Sequence, residues 1–176
     1  MIRPLTERSA PPVRIVLSPY DPAWPKLFEA QAARIRGALG ECALFVHHVG
    51  STSVPGLAAK PVIDIILVVR DSAAEAEYAA ALAGADYTLR IREPTWFEHR
   101  LLKSETPAVN LHVFSQGCPE IGRTLAFRDR LRQDEPDRRL YEATKRELAQ
   151  RTWNHTQDYA DAKGPVVEAI LARALG

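Results

Sequence analysis

Gly50-Ser51, a loop of small residues, and then Asp64 inside an apolar run form the combination in this sequence with the most capacity for chemistry. Glycine lets a backbone turn sharply and pass close to a ligand. Ser51 sets a hydroxyl beside backbone N–H groups, and a turn of such donors cradles phosphate oxygens. The Asp64 carboxylate is of the type that holds Mg²⁺ or Mn²⁺, which in turn bridges the phosphates of a nucleotide. A buried carboxylate is costly unless it is paired or metal-bound. Asp64 is therefore expected either to serve a site or to form a structural ion pair, with Arg100 as the candidate partner.

The commoner phosphate motif does not fit. A P-loop needs Gly, four residues, then Gly-Lys-Ser/Thr. Here Gly56 falls one position late, and Leu57 stands where the lysine belongs. Charge for phosphate would come from Lys60, at the end of the loop, or from Arg100, on a neighbouring strand segment; a lysine acts as a point charge and an arginine as a bidentate fork. Arg128 and Arg132 share one helical face, as do Tyr141 and Lys145. Those charges either line the cleft or form an outer face of ion pairs with Asp129, Asp134 and Glu142. His47 and His48 are adjacent on one strand and point to opposite faces, so they do not share a metal. Trp24, Phe28 and Phe127 fall at helical spacing and read as core.

These groups need a scaffold, and the hydrophobic pattern supplies one. A helix is predicted from Asp21 as N-cap and Pro22 in the first turn to a stop at Gly40. Strands follow at 43–49 and 62–69, the second apolar on both faces apart from Asp64, as a covered central strand reads. An alanine-rich helix is predicted over 73–83, then strands at 87–92, 96–103 and 108–114. Helical periodicity resumes at 119–133, 137–151 and 158–175. Residues 13–17 form a short edge strand, and residues 1–12, rich in proline, a loose leader to a single domain over 13–176. The class is α/β (α+β): a mixed sheet flanked by helices, with a helical C-terminal region.

Composition limits the function. In 176 residues, 46% are hydrophobic and 26% charged, and the net charge is +1, so no long-range field marks a nucleic-acid or membrane binder. The longest apolar stretch, 65–69, is far too short to cross a bilayer. Cys42 and Cys118 have no CxxC spacing, and the N-terminus lacks a signal-peptide core, so a cytoplasmic location is expected.

The block from His48 to Ile65 (His-Val-Gly-Ser-Thr-Ser-Val-Pro-Gly-Leu-Ala-Ala-Lys-Pro-Val-Ile-Asp-Ile) resembles the signature of the GrpB family, assigned to the nucleotidyltransferase superfamily. The likeness extends upstream to Tyr20, Trp24 and Phe28. Downstream it takes in Glu98-His99-Arg100, Leu111-His112-Val113, Phe127 to Arg132, Tyr141 with Lys145, and Tyr159 with Lys163. Similar modules are fused to dephospho-CoA kinase in some bacteria. The resemblance implies a nucleotidyltransferase-like fold and a protein that binds a nucleoside triphosphate with a divalent cation, Mg²⁺ or Mn²⁺, the implied reaction being nucleotidyl transfer to an acceptor.

On that resemblance Gly50, Ser51 and Thr52 cradle phosphate, Asp64 and His112 are the catalytic and metal-binding pair, and Lys60, Arg100, Arg128, Arg132 and Lys145 complete the phosphate-binding set. The chain departs from the superfamily pattern in two places. Val62 occupies the first position of the usual Asp-x-Asp pair, and His112 stands where a later strand usually carries a third acid. Glu98 and Asp129 are candidates to replace the missing acid. A non-catalytic nucleotide or phosphometabolite binding module is the alternative. An enzyme using His112 as acid, base or nucleophile and a protein-interaction domain are further readings.

Overall fold

Ile63–Val69 is a β-branched run in which every residue but Asp64 is buried, and it takes the interior of a five-stranded sheet. The computed structural model describes residues 11–176, so the expected leader lies outside the described residues but for Pro11 and Pro12. Numbered along the chain, the elements are β1 (Val13–Arg14), α1 (Trp24–Leu39), β2 (Phe45–Val49), β3 (Ile63–Val69), α2 (Ala79–Gly84), β4 (Thr88–Glu93), β5 (His99–Glu105) and β6 (Ala108–Ser115). The C-terminal third holds α3 (Pro119–Gln133), α4 (Glu135–Ala149), β7 (Thr152–Trp153), α5 (Thr156–Ala162) and α6 (Gly164–Leu175). The large sheet runs β2-β3-β6-β5-β4, with β3 and β6 parallel and every other pairing antiparallel.

Alternation along β3 and β6 divides the sheet into two faces. Ile63, Ile65, Leu67 and Val69 pack with Leu111 and Val113 against Ile35 and Leu39 of α1 and Leu82 of α2. Ile66, Val68 and Phe114 face the other way, onto Ile121 and Leu125 of α3. Asp64 shares that second face, beyond the end of α3's cover. A further cluster joins Val54 and Leu57 of the loop after β2 to Leu131, Tyr141 and Ile170, so the C-terminal helices clasp the loop that carries Gly50 and Ser51. Asp137 on α4 accepts from Arg130 on α3 (2.7 Å) and Arg173 on α6 (2.5 Å), which ties the three helices together.

Several boundaries differ from the sequence reading. Helix α1 starts at Trp24, with Pro25 in its first turn. Asp21 instead closes a preceding turn, its carboxylate accepting from the Ala23 amide at 2.8 Å. The helix expected over 73–83 is a 3₁₀ turn, Glu75–Glu77, followed by the short α2. Helix α4 begins before residue 137, because Asp134 caps it by accepting from the Asp137 amide at 2.9 Å. The single helix expected over 158–175 is broken into α5 and α6, since Pro165 opens α6 and cannot continue α5. Val13–Arg14 pairs with Thr152–Trp153 in a separate two-stranded ladder.

Candidate functional site

Strand β2 ends at Val49, whose partner on β3 is Asp64, and the chain must then leave the sheet beside that carboxylate. Gly50 makes the exit at φ 70°, ψ −177°, a conformation essentially reserved for glycine. The turn is fastened internally: Ser53 donates from its amide (3.1 Å) and its hydroxyl (2.5 Å) to the Gly50 carbonyl. His48 lies buried and stacked on Phe28, with its Nε2 3.0 Å from the Thr52 hydroxyl. Burial, with Arg132 adding to it, pushes the His48 imidazole down to about 4, so it braces the loop as a neutral ring. His47 stacks on Phe45 instead, on the opposite face as its position in the strand requires.

Asp64 stands directly opposite Asn110 on the parallel strand β6, and the Asn110 amide donates to its Oδ1 at 2.9 Å. His112 Nε2 lies 3.9 Å from the same oxygen, too far for a hydrogen bond. Burial would raise the Asp64 carboxyl, but His112 and Asn110, with Lys163 beyond them, outweigh it and hold it below the usual carboxylate range. The side chains of Asp64 and His112 remain 30% and 31% exposed, both toward the same cavity. Behind His112, its Nδ1 is 3.0 Å from His99 Nε2, and His99 Nδ1 is 2.7 Å from Glu93 Oε2.

That cavity, about 370 Å³, is lined by Ser51, Thr52, Asp64, Asn110 and His112, and by four lysines, Lys60, Lys103, Lys145 and Lys163. Asp64 is the only carboxylate on its wall among the described residues. Lys145, buried on α4, donates to the Ser51 hydroxyl at 3.0 Å and to the Ala58 carbonyl. Desolvation, reinforced by Lys163, brings its ammonium down to about 7. Lys60 is lowered by burial and then by Lys163, and Lys163 by burial against the opposing pull of Asp64. Burial is thus the main cause for all three lysines, and the charge of Lys163 adds to it at Lys60 and Lys145. Tyr159, on α5, also lines the cavity, and its hydroxyl is buried with no partner among the described residues. A buried hydroxyl without a partner costs free energy. Leu17, Ile91 and Leu101 add an apolar side.

The structure gathers Ser51, Thr52, Lys60, Asp64, His112 and Lys145 around one cavity, beside Gly50, and leaves three expected residues outside it. Arg100 lies off the cavity wall and is not the partner of Asp64. Alternation along β5 sends Leu101 and Lys103 toward the cavity and turns Arg100 to the far face. There it donates to Glu75 (2.6 Å), the Glu98 carboxylate (3.0 Å) and the Glu98 carbonyl (2.9 Å). Arg128 and Arg132 grip the loop from behind, donating to the His48 carbonyl at 3.0 Å and the Ser53 carbonyl at 2.9 Å. They line a separate cleft of about 290 Å³. Glu98 and Asp129 are held by Arg100 and Arg128, so neither replaces the acid missing at Val62, which itself lies on the cavity wall. No group of three or more His, Cys, Asp or Glu residues is placed to hold a metal ion among the described residues. No helix among them is long and apolar enough to cross a membrane.

Asn110, Lys103, Tyr159 and Lys163 complete the site without having been assigned to it from sequence. Asn110 lies two residues before His112, where strand alternation puts both on one face, so that signal was present. Lys103 likewise sits in step with Leu101. Tyr159 and Lys163 repeat the four-residue spacing of Tyr141 and Lys145, and that repeat was the signal available for them.

The chain belongs to the GrpB family: the family model described as GrpB protein matches residues 14–173. A UPF0157 protein of Halalkalibacterium halodurans is 58% identical over 91% of this chain and 82% of its own length. The crystal structure of conserved protein GrpB from Enterococcus faecalis is similar with a TM-score of 0.77 and 31% identity, covering 91% of this chain and 97% of that one. A dephospho-CoA kinase of Mycolicibacterium paratuberculosis is 33% identical over 93% of this chain, which spans 46% of that protein.

Proposed function

We propose that this protein binds a nucleoside triphosphate together with one divalent cation in the cavity between Gly50-Ser51, Asp64 and Lys163. The observation that carries the reading is the charge pattern of a single cavity, where four lysines surround one carboxylate and one imidazole. Lys60, Lys145, Lys163 and Lys103 match the repeated negative charge of a polyphosphate, and Ser51 and Thr52 offer hydrogen bonds to its oxygens. Leu17, Ile91 and Leu101 leave an apolar side for a base or sugar.

Asp64 and His112 would hold the cation. A carboxylate with an imidazole suits Mn²⁺ better than Mg²⁺, and the pair is enough for one ion. When bound, that ion would neutralise and orient the phosphates. Nucleotidyl transfer through two ions needs more oxygen ligands than one carboxylate provides. Val62 on the cavity wall therefore favours binding without transfer over transfer to an acceptor.

Calorimetric titration of ATP, CTP, GTP and UTP with Mn²⁺ into the wild type and Asp64→Asn tests this. The expected result is that at least one nucleotide binds the wild type with metal, and that the variant loses the metal-dependent part. Failure of all four to bind either protein would sink the nucleotide reading. Release of pyrophosphate from labelled nucleotide would restore the transfer reading.

A further inference from the structure

His99 is a buried imidazole to which the nucleotide reading gives no task. It sits at 3% exposure between Trp96, whose ring meets it edge-on at 5.1 Å, and Phe114, at 4.8 Å. Its two nitrogens are both engaged, Nδ1 with Glu93 at 2.7 Å and Nε2 with His112 Nδ1 at 3.0 Å. Together with His112 Nε2, 3.9 Å from Asp64, these contacts form a line of four groups from a half-exposed glutamate to the cavity wall.

The chemistry of the line dictates where its protons sit. A carboxylate accepts and does not donate, so His99 donates from Nδ1–H to Glu93. A neutral imidazole has one N–H, which leaves His99 Nε2 as a bare acceptor. The 3.0 Å contact then requires His112 to supply the proton from Nδ1. In its neutral form His112 therefore carries its lone pair on Nε2, the nitrogen that faces Asp64 and the cavity. In that form two electron-pair donors from adjacent strands converge 3.9 Å apart, a gap that a proton or a metal cation fills. A histidine that binds metal characteristically fixes its other nitrogen through an outer hydrogen bond to a carboxylate or carbonyl. Here a second histidine extends that bond to the carboxylate of Glu93.

We propose that His99 and Glu93 are positioning residues, which lock His112 in its Nδ1–H tautomer so that Nε2, beside Asp64, is presented to a divalent cation. The tautomer lock stands on hydrogen-bond geometry alone, whereas the cation rests on the function proposed above. Two of the sequence blocks, Glu98-His99-Arg100 and Leu111-His112-Val113, are thereby joined as one device, with Arg100 turned to the opposite face.

Nitrogen-15 NMR of histidine-labelled protein, read alongside Mn²⁺ titration, tests both halves. In the metal-free wild type, His112 is expected to show protonated Nδ1 and bare Nε2. His99→Leu removes the acceptor and should move His112 toward the Nε2–H form and weaken Mn²⁺ binding about 10- to 100-fold. Glu93→Ala, a change at a half-exposed position, should shift the tautomer in the same direction with a smaller loss and serves where His99→Leu folds poorly. An Nε2–H tautomer in the wild type, or an unchanged tautomer in both variants, would overturn the lock. The expected tautomer with no Mn²⁺ binding by the wild type would uphold the lock and overturn the metal reading separately.

Discussion

Gly50 and Asp64 occupy one space: a Cβ built on Gly50 would lie 2.5 Å from Oδ2 of Asp64 and 3.0 Å from its Cβ. The carboxylate packs against bare backbone, and the turn is fixed by what glycine lacks as much as by its φ of 70°. Any side chain at position 50 must move the loop or the acid.

Gly50→Ala is therefore expected to cost about 1–3 kcal/mol from backbone strain alone, with the steric clash added. Urea denaturation measures that loss. Mn²⁺-dependent nucleotide binding should also fail in the fraction that folds, because Asp64 is displaced. Retention of both wild-type stability and binding would show that the loop relaxes freely.

Lys145 predicts a pH dependence. Its ammonium lies near 7 in the free protein, so it loses charge as pH rises through neutrality. Affinity for inorganic triphosphate, measured without metal, should fall between pH 6 and 8.5, and Lys145→Arg should flatten the profile. Stability moves the other way. A lysine with a depressed folded pKa binds fewer protons folded than unfolded, so its contribution to stability rises from about pH 7 toward its unfolded value of 10.5. Relative to Lys145→Met, the wild type should gain stability across that window. A flat difference between the two would refute the shift.

Arg100 should matter to stability and not to binding. Arg100→Met leaves Glu75 and Glu98 without their shared donor, at a cost of about 2 kcal/mol given that both acids are partly hydrated. Nucleotide affinity should stay within about twofold. Hydrogen bonds from Arg92 and then Arg100 hold the Glu75 carboxyl down to about 2. Its contribution is complete above the ordinary value of 4.5 and is lost as pH falls toward 2. The variant should therefore show a shallower loss of stability on acidification over that range, and a large fall in nucleotide affinity would return Arg100 to the site.

The parts of the site that were legible from sequence are those whose chemistry and position lie within one local stretch. The strand, the glycine turn and the acid on the next strand are contiguous, so hydrophobic pattern and turn chemistry placed Gly50, Ser51 and Asp64 correctly relative to one another. Arg100 misled because a cation on a neighbouring strand was read without knowing the register, and register decides the face. Lys163, although paired with Tyr159 at helical spacing, was not assigned to the site because the expected single helix hid the break at Pro165, and Lys163 sits at that junction of α5 and α6. The helix that begins with Pro119, by contrast, was read over its full extent from periodicity and a proline start.

The ladder of β1 with β7 and the cavity wall that runs from Leu17 to Lys163 also bear on how the protein is made. Translation delivers residues in order, and contacts this distant in sequence close late. A nascent chain extended to Ala149 would own the whole large sheet, the Gly50 turn and Asp64, yet lack Tyr159, Lys163 and the β7 strand that closes on β1. The cavity wall is thus complete only with the final stretch of synthesis, and on the proposed function a product that stops at Ala149 should fail to bind nucleotide instead of competing for it.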